Sequence, residues 1–187
     1  MTDKIFTIDK IVTASIKLFA QNSFANTTLQ DISKSSGAAI GSIYHAFPKG
    51  KSAIADLITE RYFQEYKQKL FLMFKTDLVS QDFEKLIDDL FAILLSVGAK
   101  YPCLYDPTFE LNKEKYLVQG KELDAELDSY IILMLQIKNH KITREEAVLR
   151  TNMCTLFWDA ILAKYQKTQD IQILEQLKII TLKYLNN

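Results

Sequence analysis

The amino-acid sequence predicts an all-α fold. Glycine and proline are scarce, with five and three among 187 residues. The alternation of apolar and polar residues that marks a half-buried strand is nearly absent. Apolar residues instead recur at spacings of three and four, which is the pattern of an amphipathic helix. Nearly half of the residues are apolar, so the chain can bury a sizeable helical core.

Three helices are predicted in the first third of the chain. An apolar stripe of helical period covers residues 8–19, and two short helices follow at 28–35 and 39–45. The first of the short helices opens with Thr28-Leu-Gln-Asp31. This is a capping box, in which a hydroxyl and an acid each satisfy a free backbone N–H.

A long apolar stripe predicts a rigid helix from about 52 to 76, which joins the first part of the chain to the second. Further helices are predicted at 81–99, 121–139, 143–166 and 170–185, with a shorter one around 107–117. Asp106-Pro107 fits an N-cap followed by proline at the first helical position. We expect two domains, one over residues 1–55 and one over 56–187.

Charge and cysteine content narrow the function classes. The chain has no net charge, but residues 1–55 hold six lysines against three aspartates, which favours an anionic partner for this part. Cys103 and Cys154 belong to no CxxC pair, and we expect free thiols rather than a disulfide. The absence of a secretory signal and of a long apolar span favours the cytoplasm.

The segment SSGAAIGSIYHAFPKGK combines a tight turn with a slender helix. Gly37 lies where the turn needs the positive φ that glycine adopts at little cost. Ile43 and Phe47, four residues apart, would anchor the helix to the core. Its other face carries small residues, namely Ala38, Ala39, Gly41 and Ser42. Such a helix can enter the major groove of B-DNA, although a helical hairpin without a ligand is the alternative.

The two lysines at the end of this segment, Lys49 and Lys51, lie at the start of the long helix. The free N–H groups and the partial positive charge of a helix N-terminus attract phosphate, and a lysine there adds to that attraction. The segment therefore presents a turn, a helix for reading DNA and a phosphate clamp in that order.

The longer segment TTLQDISKSSGAAIGSIYHAFPKGK resembles the DNA-binding segment of the TetR family of bacterial transcriptional regulators. The similarity extends over roughly residues 8–56. The family pattern is met by Thr27, Thr28, Asp31, Ile32, Gly37, Gly41, Ser42, Ile43, Tyr44, Phe47 and a lysine at Lys49 or Lys51.

Three positions depart from the family pattern. Ala46 replaces a histidine that contacts phosphate, and Ser23 stands where a glycine is usual. The stretch FPKGK is one residue longer than the commonest spacing, so either Lys49 or Lys51 can be the clamp. We favour Lys51 because it falls just inside the helix.

The predicted DNA-contacting residues are Thr27, Thr28, Gln30, Ala39, Ile40, Ser42, Tyr44, His45, Lys49 and Lys51. One of the two threonines would bond phosphate, serve as an N-cap, or do both. Gln30 would read a base edge, with adenine the preferred partner of an amide, unless it is simply exposed to solvent. Ala39 or Ile40 would contact a thymine methyl. The tyrosine and the histidine would donate to phosphates, although His45 can also be an ordinary surface residue.

The second part of the chain is rich in aromatic residues. Most of them are expected in the core, but the family resemblance implies that some line a cavity for a small, largely apolar effector. Our candidates for this pocket are Tyr66, Phe91, Tyr105, Phe109 and Trp158. The segment KYPCLYDPTFE, residues 100–110, is a candidate lid. No cofactor or metal is predicted.

The helices predicted at 143–166 and 170–185 are apolar on more than one face. One face can meet the core, and the other needs a partner. A homodimer formed by two helices from each subunit fits this pattern and the family. The resemblance therefore implies a dimeric repressor that is released from a palindromic operator by its effector.

An enzyme and a helical module that dimerises without DNA are the competing function classes. Only two histidines occur, His45 and His140, and they are far apart in sequence. The chain has no Glu-x-x-His pair, no GxSxG and no glycine-rich phosphate loop. We expect no enzymatic activity.

Overall fold

A computed structural model describes residues 2–75, 82–106, 108–109, 113–168 and 170–186. Within these ranges the regular structure is helical, which confirms the predicted fold class. The eight α-helices are α1 Thr2–Asn22, α2 Leu29–Ser36, α3 Ile40–Ala46, α4 Lys51–Phe74, α5 Phe83–Gly98, α6 Lys113–Lys138, α7 Arg144–Thr168 and α8 Ile171–Asn186. A 3₁₀ turn, Pro102–Tyr105, lies between α5 and α6. Of the helices described, none has both the length and the apolarity that crossing a membrane requires.

These residues form two compact units. The first unit runs to Tyr66 and also contains Leu95–Gln119. The second contains Lys67–Leu94 and the residues from Gly120 onward. Helices α1 to α3 therefore lie wholly in the first unit, and α7 and α8 lie wholly in the second. A segment from the middle of the sequence, including the 3₁₀ turn, is built into the first unit.

The core of the first unit is formed by one apolar face from each of its first four helices. The fully buried side chains there include Ile11, Phe19, Ile32, Ile43, Ile54 and Ile58. Ile32 and Ile43 are the buried residues of α2 and α3, so each short helix is anchored by a single large side chain. An ion pair of 2.6 Å between Arg61 and Asp9 joins α4 to α1 at the edge of this core.

Left-handed residues shape the connections that follow α1 and α2. Gly37 ends α2 with φ 70°, as the turn prediction requires. Ser23, which replaces the family's glycine, adopts φ 68° after α1. Serine rarely adopts this region, so the turn after α1 must be held by its surroundings.

The second unit buries apolar side chains from α5, α6, α7 and α8, among them Leu86, Ile87, Ile131, Met134, Leu135, Leu174 and Leu177. Polar contacts join some of these helices. The indole N–H of Trp158 on α7 donates to Thr181 Oγ1 on α8 at 2.8 Å. Lys178 on α8 pairs with Asp88 on α5.

One predicted boundary is wrong. Helix α6 begins at Lys113 and continues through Gly120, where two separate helices at 107–117 and 121–139 were expected. Asp106 does not begin a helix. Its carboxylate instead accepts the backbone N–H of Thr108, two residues ahead, in a local turn.

Candidate DNA-binding site

The N-terminus of α2 carries a complete capping box. Thr28 Oγ1 accepts the N–H of Asp31 at 3.1 Å, and the Asp31 carboxylate accepts the N–H of Thr28 at 2.9 Å. The Thr28 hydroxyl also donates to this carboxylate at 2.6 Å. The hydrogen bonds from the Thr28 side chain and backbone lower the pKa of Asp31. Leu29 and Gln30 are the first two residues of α2, so their N–H groups have no acceptor inside the helix and are the donors that remain for a phosphate.

Thr27 and Thr28 have different roles. Thr27 is fully buried, and its hydroxyl donates to the Ser23 carbonyl at 2.8 Å and lies 3.3 Å from the Leu18 carbonyl. It therefore ties the turn after α1 to the end of that helix. Thr28 is exposed, and so is Gln30, two residues further along the chain. Of the two threonines, Thr28 is the one that a ligand can reach.

Helix α3 has one anchored face and one exposed face. Ile43 is fully buried and Phe47, which caps the helix, is 5% exposed. Tyr44 is 54% exposed. We call the exposed residues of this helix and its N-cap the reading face: Ala39, Ile40, Gly41, Ser42, Tyr44 and His45.

Gly41 shows that the narrowness of the reading face is not needed for packing within the chain. A Cβ placed on Gly41 would meet no atom within 4 Å. An open groove lies beside it, lined by Thr7 and Ile8 of α1 and by Gly41, Ser42, His45 and Ala46. The small residues therefore leave an open space beside α3 that a partner outside the chain can enter.

The two candidate clamp lysines have different surroundings. Lys51 is partly buried, and its ammonium donates to the Phe24 carbonyl at 2.8 Å and to the Ala25 carbonyl at 3.4 Å. The same ammonium lies 4.7 Å from the centre of the Phe24 ring. Lys49 is exposed. Two of the three ammonium donors of Lys51 are thus engaged within the chain, so the geometry favours Lys49 as the phosphate clamp, contrary to the sequence-based preference.

The extra residue of the FPKGK stretch is accommodated by a turn. The N–H of Gly50 donates to the Phe47 carbonyl at 2.8 Å, and Gly50 has φ 63°. This turn leaves Lys49 at its exposed tip and starts α4 at Lys51.

The described residues of the candidate lid pack within the first unit, where Phe109 is buried against α1. The Phe109 ring packs edge-on against Phe19 and Phe24, with ring centres 5.9 and 5.5 Å away. Asp106 and Thr108 form hydrogen bonds with the backbone of the turn after α1.

The candidate effector residues are divided between the two units. Phe91 and Trp158 meet in the second unit, with ring centres 6.0 Å apart. Tyr66 and Phe109 lie buried in the first unit, where Tyr66 stacks on Tyr62. The side chain of Tyr105 lies outside the described residues.

Comparison with known proteins identifies this arrangement. Residues 11–58 match the family model described as "Bacterial regulatory proteins, tetR family". The chain has the fold and the N-terminal domain of a TetR-family transcriptional regulator. The family resemblance seen in the sequence is confirmed, and the family is one of regulators rather than enzymes.

A curated relative and two solved structures agree with the family match. The chain is 28% identical over 91 residues to the "Probable HTH-type transcriptional regulator YttP" of Bacillus subtilis (strain 168), a match that covers 49% of this chain and 44% of that protein. The matched region therefore spans less than half of the relative's length.

The structural matches extend over nearly the whole chain. A TetR-family transcriptional regulator from Streptomyces coelicolor is similar with a TM-score of 0.63 at 15% identity, over 96% of this chain and 98% of the other. The fatty acid degradation regulator FadR from Bacillus halodurans is similar with a TM-score of 0.65 at 16% identity, over 96% and 94% of the two chains. At such identities the likeness shows the fold alone.

Proposed function

We propose that the protein is a dimeric transcriptional repressor of the cytoplasm that binds a palindromic operator through α2 and α3. The reading face carries the proposal, because it exposes small and hydrogen-bonding residues on a helix whose opposite side is buried. The functional division that we propose assigns DNA binding to residues 1–55 and effector binding and dimerisation to 56–187.

The proposed DNA contacts fall into two groups. Gln30, Ala39, Ile40 and Ser42 would face bases, because they lie on the first turns of α2 and α3 or at the α3 N-cap. The residues that would contact phosphates are Thr28, Tyr44, His45 and Lys49, together with the free N–H groups at the start of α2. Thr27 and Lys51 would not contact DNA but would stabilise the turn between α1 and α2 through their hydrogen bonds with its carbonyls.

Exposed apolar residues on α7 and α8 support a homodimer. We call this group the outer apolar set: Leu149, Leu156, Phe157, Ile179 and Ile180. Leu156 is 70% exposed, and Ile179 is 63% exposed. Large apolar residues concentrated on two helices are typical of a contact surface. Pairing with the same two helices of a second copy would bury the set in a four-helix bundle and give two-fold symmetry.

The proposed effector is small and largely apolar. Within the described ranges, the buried polar side chains of the second unit are Thr151 and Thr181. The Thr151 hydroxyl donates to the Ala147 carbonyl at 2.9 Å, and Thr181 accepts the Trp158 indole N–H. With these polar groups already bonded, the interior offers an effector mainly aromatic and aliphatic contacts, such as the stacked pair Phe74 and Tyr130.

The conformational change that releases the DNA would be transmitted along continuous helices. Helices α4, α5 and α6 each have residues in both units. An effector that favours a conformer with the wrong spacing of α3 helices in the dimer would lower DNA affinity. By linkage, DNA would lower effector affinity by the same factor, commonly about 1–3 kcal/mol of coupling.

Electrophoretic retardation on the DNA upstream of the chain's own gene tests the proposal. We expect a discrete complex on this DNA that competitor DNA of unrelated sequence does not abolish. No complex at low salt would contradict DNA binding and leave a helical module or an enzyme as the function.

A thermal screen of apolar metabolites tests the effector. Trp158 is the only tryptophan of the chain, so its fluorescence reports on the second unit. Compounds that raise the melting temperature and change this fluorescence should also dissociate the DNA complex. If stabilising compounds leave the complex intact, control by an effector of this kind is excluded.

A further inference from the structure

The turn between α1 and α2 is held by side chains that are distant in the sequence. Phe24 N–H donates to Asp106 Oδ2 at 2.5 Å, across 82 residues. Ala25 N–H donates to Thr108 Oγ1 at 3.2 Å. The carbonyls of Phe24 and Ala25 both accept from the Lys51 ammonium. All four polar backbone atoms of two consecutive residues are therefore bonded to side chains.

These hydrogen bonds compensate for the weak intrinsic preference of residues 23–26 for the backbone conformation of the turn. Ser23 adopts a left-handed conformation that serine rarely takes, and no helix or strand fixes residues 24–26. The Phe24 ring is buried between Phe19 and Phe109, with ring centres 5.0 and 5.5 Å away. The backbone and the ring of Phe24 are thus both fixed by residues of the 106–109 segment.

The position of this turn determines where α2 begins. Only two residues separate Ala25 from the Thr28 cap, and the intervening Thr27 is bonded back to the carbonyl of Ser23. A displacement of the turn would move the free N–H groups at the start of α2, and with them the reading face that follows Gly37.

We infer that Asp106 and Thr108 are positioning residues of the DNA-binding site, acting through the backbone of Phe24 and Ala25. This inference rests on the proposed function. It gives a role in DNA binding to a segment between α5 and α6, outside the matched region at residues 11–58.

The charge of Asp106 makes the inference testable by the sign of an effect. Partial burial acts to raise the pKa of Asp106, but the hydrogen bonds from Phe24 and Thr108 outweigh it and keep the pKa lowered. The group is thus a carboxylate at neutral pH. Coulombic repulsion alone predicts that removing this negative charge strengthens DNA binding. Positioning predicts the opposite.

The experiment compares Asp106→Ala and Thr108→Val with the wild type in DNA titrations at several salt concentrations. Because a hydrogen bond to a charged group contributes strongly to local order, we expect Asp106→Ala to weaken binding about tenfold and Thr108→Val about threefold. The slope of log K against log salt should stay unchanged, since neither residue touches a phosphate. Asp56→Ala, which removes the same charge from α4 of the same unit, should bind at least as tightly as the wild type.

Amide hydrogen exchange supplies a second readout on the free protein. The Phe24 amide should exchange faster in Asp106→Ala, and the Ala25 amide faster in Thr108→Val, while the amides around Ile58 in α4 stay protected. Thr108→Val keeps the size of the side chain, so it serves where Asp106→Ala proves unstable.

Each outcome has one meaning. Binding by folded Asp106→Ala that equals or exceeds wild-type binding overturns the inference, as does a salt slope changed by about one unit. If the wild type itself binds no DNA, the proposed function fails. If the wild type binds and both variants bind equally well, the inference alone fails.

Discussion

The exposed surface of α3 and the exposed surfaces of α7 and α8 differ in chemistry. The reading face presents glycine, serine, histidine and tyrosine around one partly exposed isoleucine. The outer apolar set presents five large apolar side chains. A helix that enters the hydrated, charged groove of DNA needs hydrogen-bonding side chains and a close approach. A helix that contacts a second copy of the protein needs apolar side chains, because the partner's apolar surface is buried against them. We therefore expect substitutions on the reading face to change DNA recognition and substitutions in the outer apolar set to change the oligomeric state.

The largest effect is expected from a charge placed in the outer apolar set. Leu156→Glu should convert the dimer to a monomer and reduce operator affinity at least a hundredfold, because an unpaired charge cannot be buried at an interface without a cost of several kcal/mol. Light scattering measures the mass, and retardation measures the affinity.

Gln68→Glu is the control for this change, because it adds the same charge at an exposed polar position of α4 in the second unit, away from the outer apolar set of α7 and α8. It should remain a dimer. A dimeric Leu156→Glu protein would show that another surface joins the subunits and would remove the proposed contrast.

Substitutions on α2 and α3 are expected to separate residues that set base preference from residues that contact phosphates. Gln30→Ala should reduce discrimination at one base pair in each half-site, by about 1–3 kcal/mol if the amide bonds an adenine. Tyr44→Phe should weaken binding to all sequences alike, because phosphates carry no base identity. Selection from randomised operators distinguishes the two behaviours. If Gln30→Ala kept the wild-type preference at every position, the amide would not be a reader.

Substitutions of Lys49 and Lys51 should have different effects, because Lys49 is the proposed phosphate contact and Lys51 supports the turn after α1. Lys49→Ala should lower the salt slope of log K by about one unit, since one phosphate contact is lost. Lys51→Ala should weaken binding with the slope unchanged, because its ammonium is bonded to the carbonyls of Phe24 and Ala25. Titrations over a range of salt concentrations measure both slopes. The reverse result would restore Lys51 as the clamp.

The smallest effect is expected at the α2 cap. Thr28→Ala should lower the free energy of unfolding by about 1 kcal/mol, the usual effect of losing such a cap. The pKa of Asp31 is lowered from 3.8 by its bonds with Thr28, so the capping contribution is complete above that pH and is lost as the pH falls through the lowered value. The stability difference between wild type and Thr28→Ala should therefore narrow on acidification, as thermal unfolding at several pH values would show, and the part due to the bond from the Asp31 N–H to Thr28 Oγ1 should remain. A constant difference would mean that the cap does not involve the charged carboxylate.

Local features were predictable from the sequence because a few neighbouring residues determine them. The Thr28 capping box and the left-handed Gly37 depend on contacts within four residues, and both were predicted. The anchoring of α3 through Ile43 followed from spacing alone. These features account for the reading face.

Contacts between distant parts of the chain were not predictable in this way. Asp106 followed by proline has the pattern of a helix start, but its carboxylate bonds a backbone N–H 82 residues away. Lys51 lies where the sequence favours a phosphate clamp, yet two of its three ammonium donors are bonded to the turn after α1, which only the folded chain brings near. Separate helices were predicted at 107–117 and 121–139, but α6 runs without a break from Lys113 to Lys138. In each case a tertiary contact or a continuous helix outweighed the local pattern.

Hydroxyl-radical footprinting of the protein on the DNA upstream of its gene tests symmetric binding through α2 and α3. Such binding predicts two protected half-sites related by two-fold symmetry, with centres about 34–36 Å apart, so that the two α3 helices reach successive major grooves. The double variant Gln30→Ala with Lys49→Ala should lose both protected regions together at a concentration where the wild type is saturated. A single protected region, or a footprint that the double variant leaves unchanged, would contradict symmetric binding through α2 and α3.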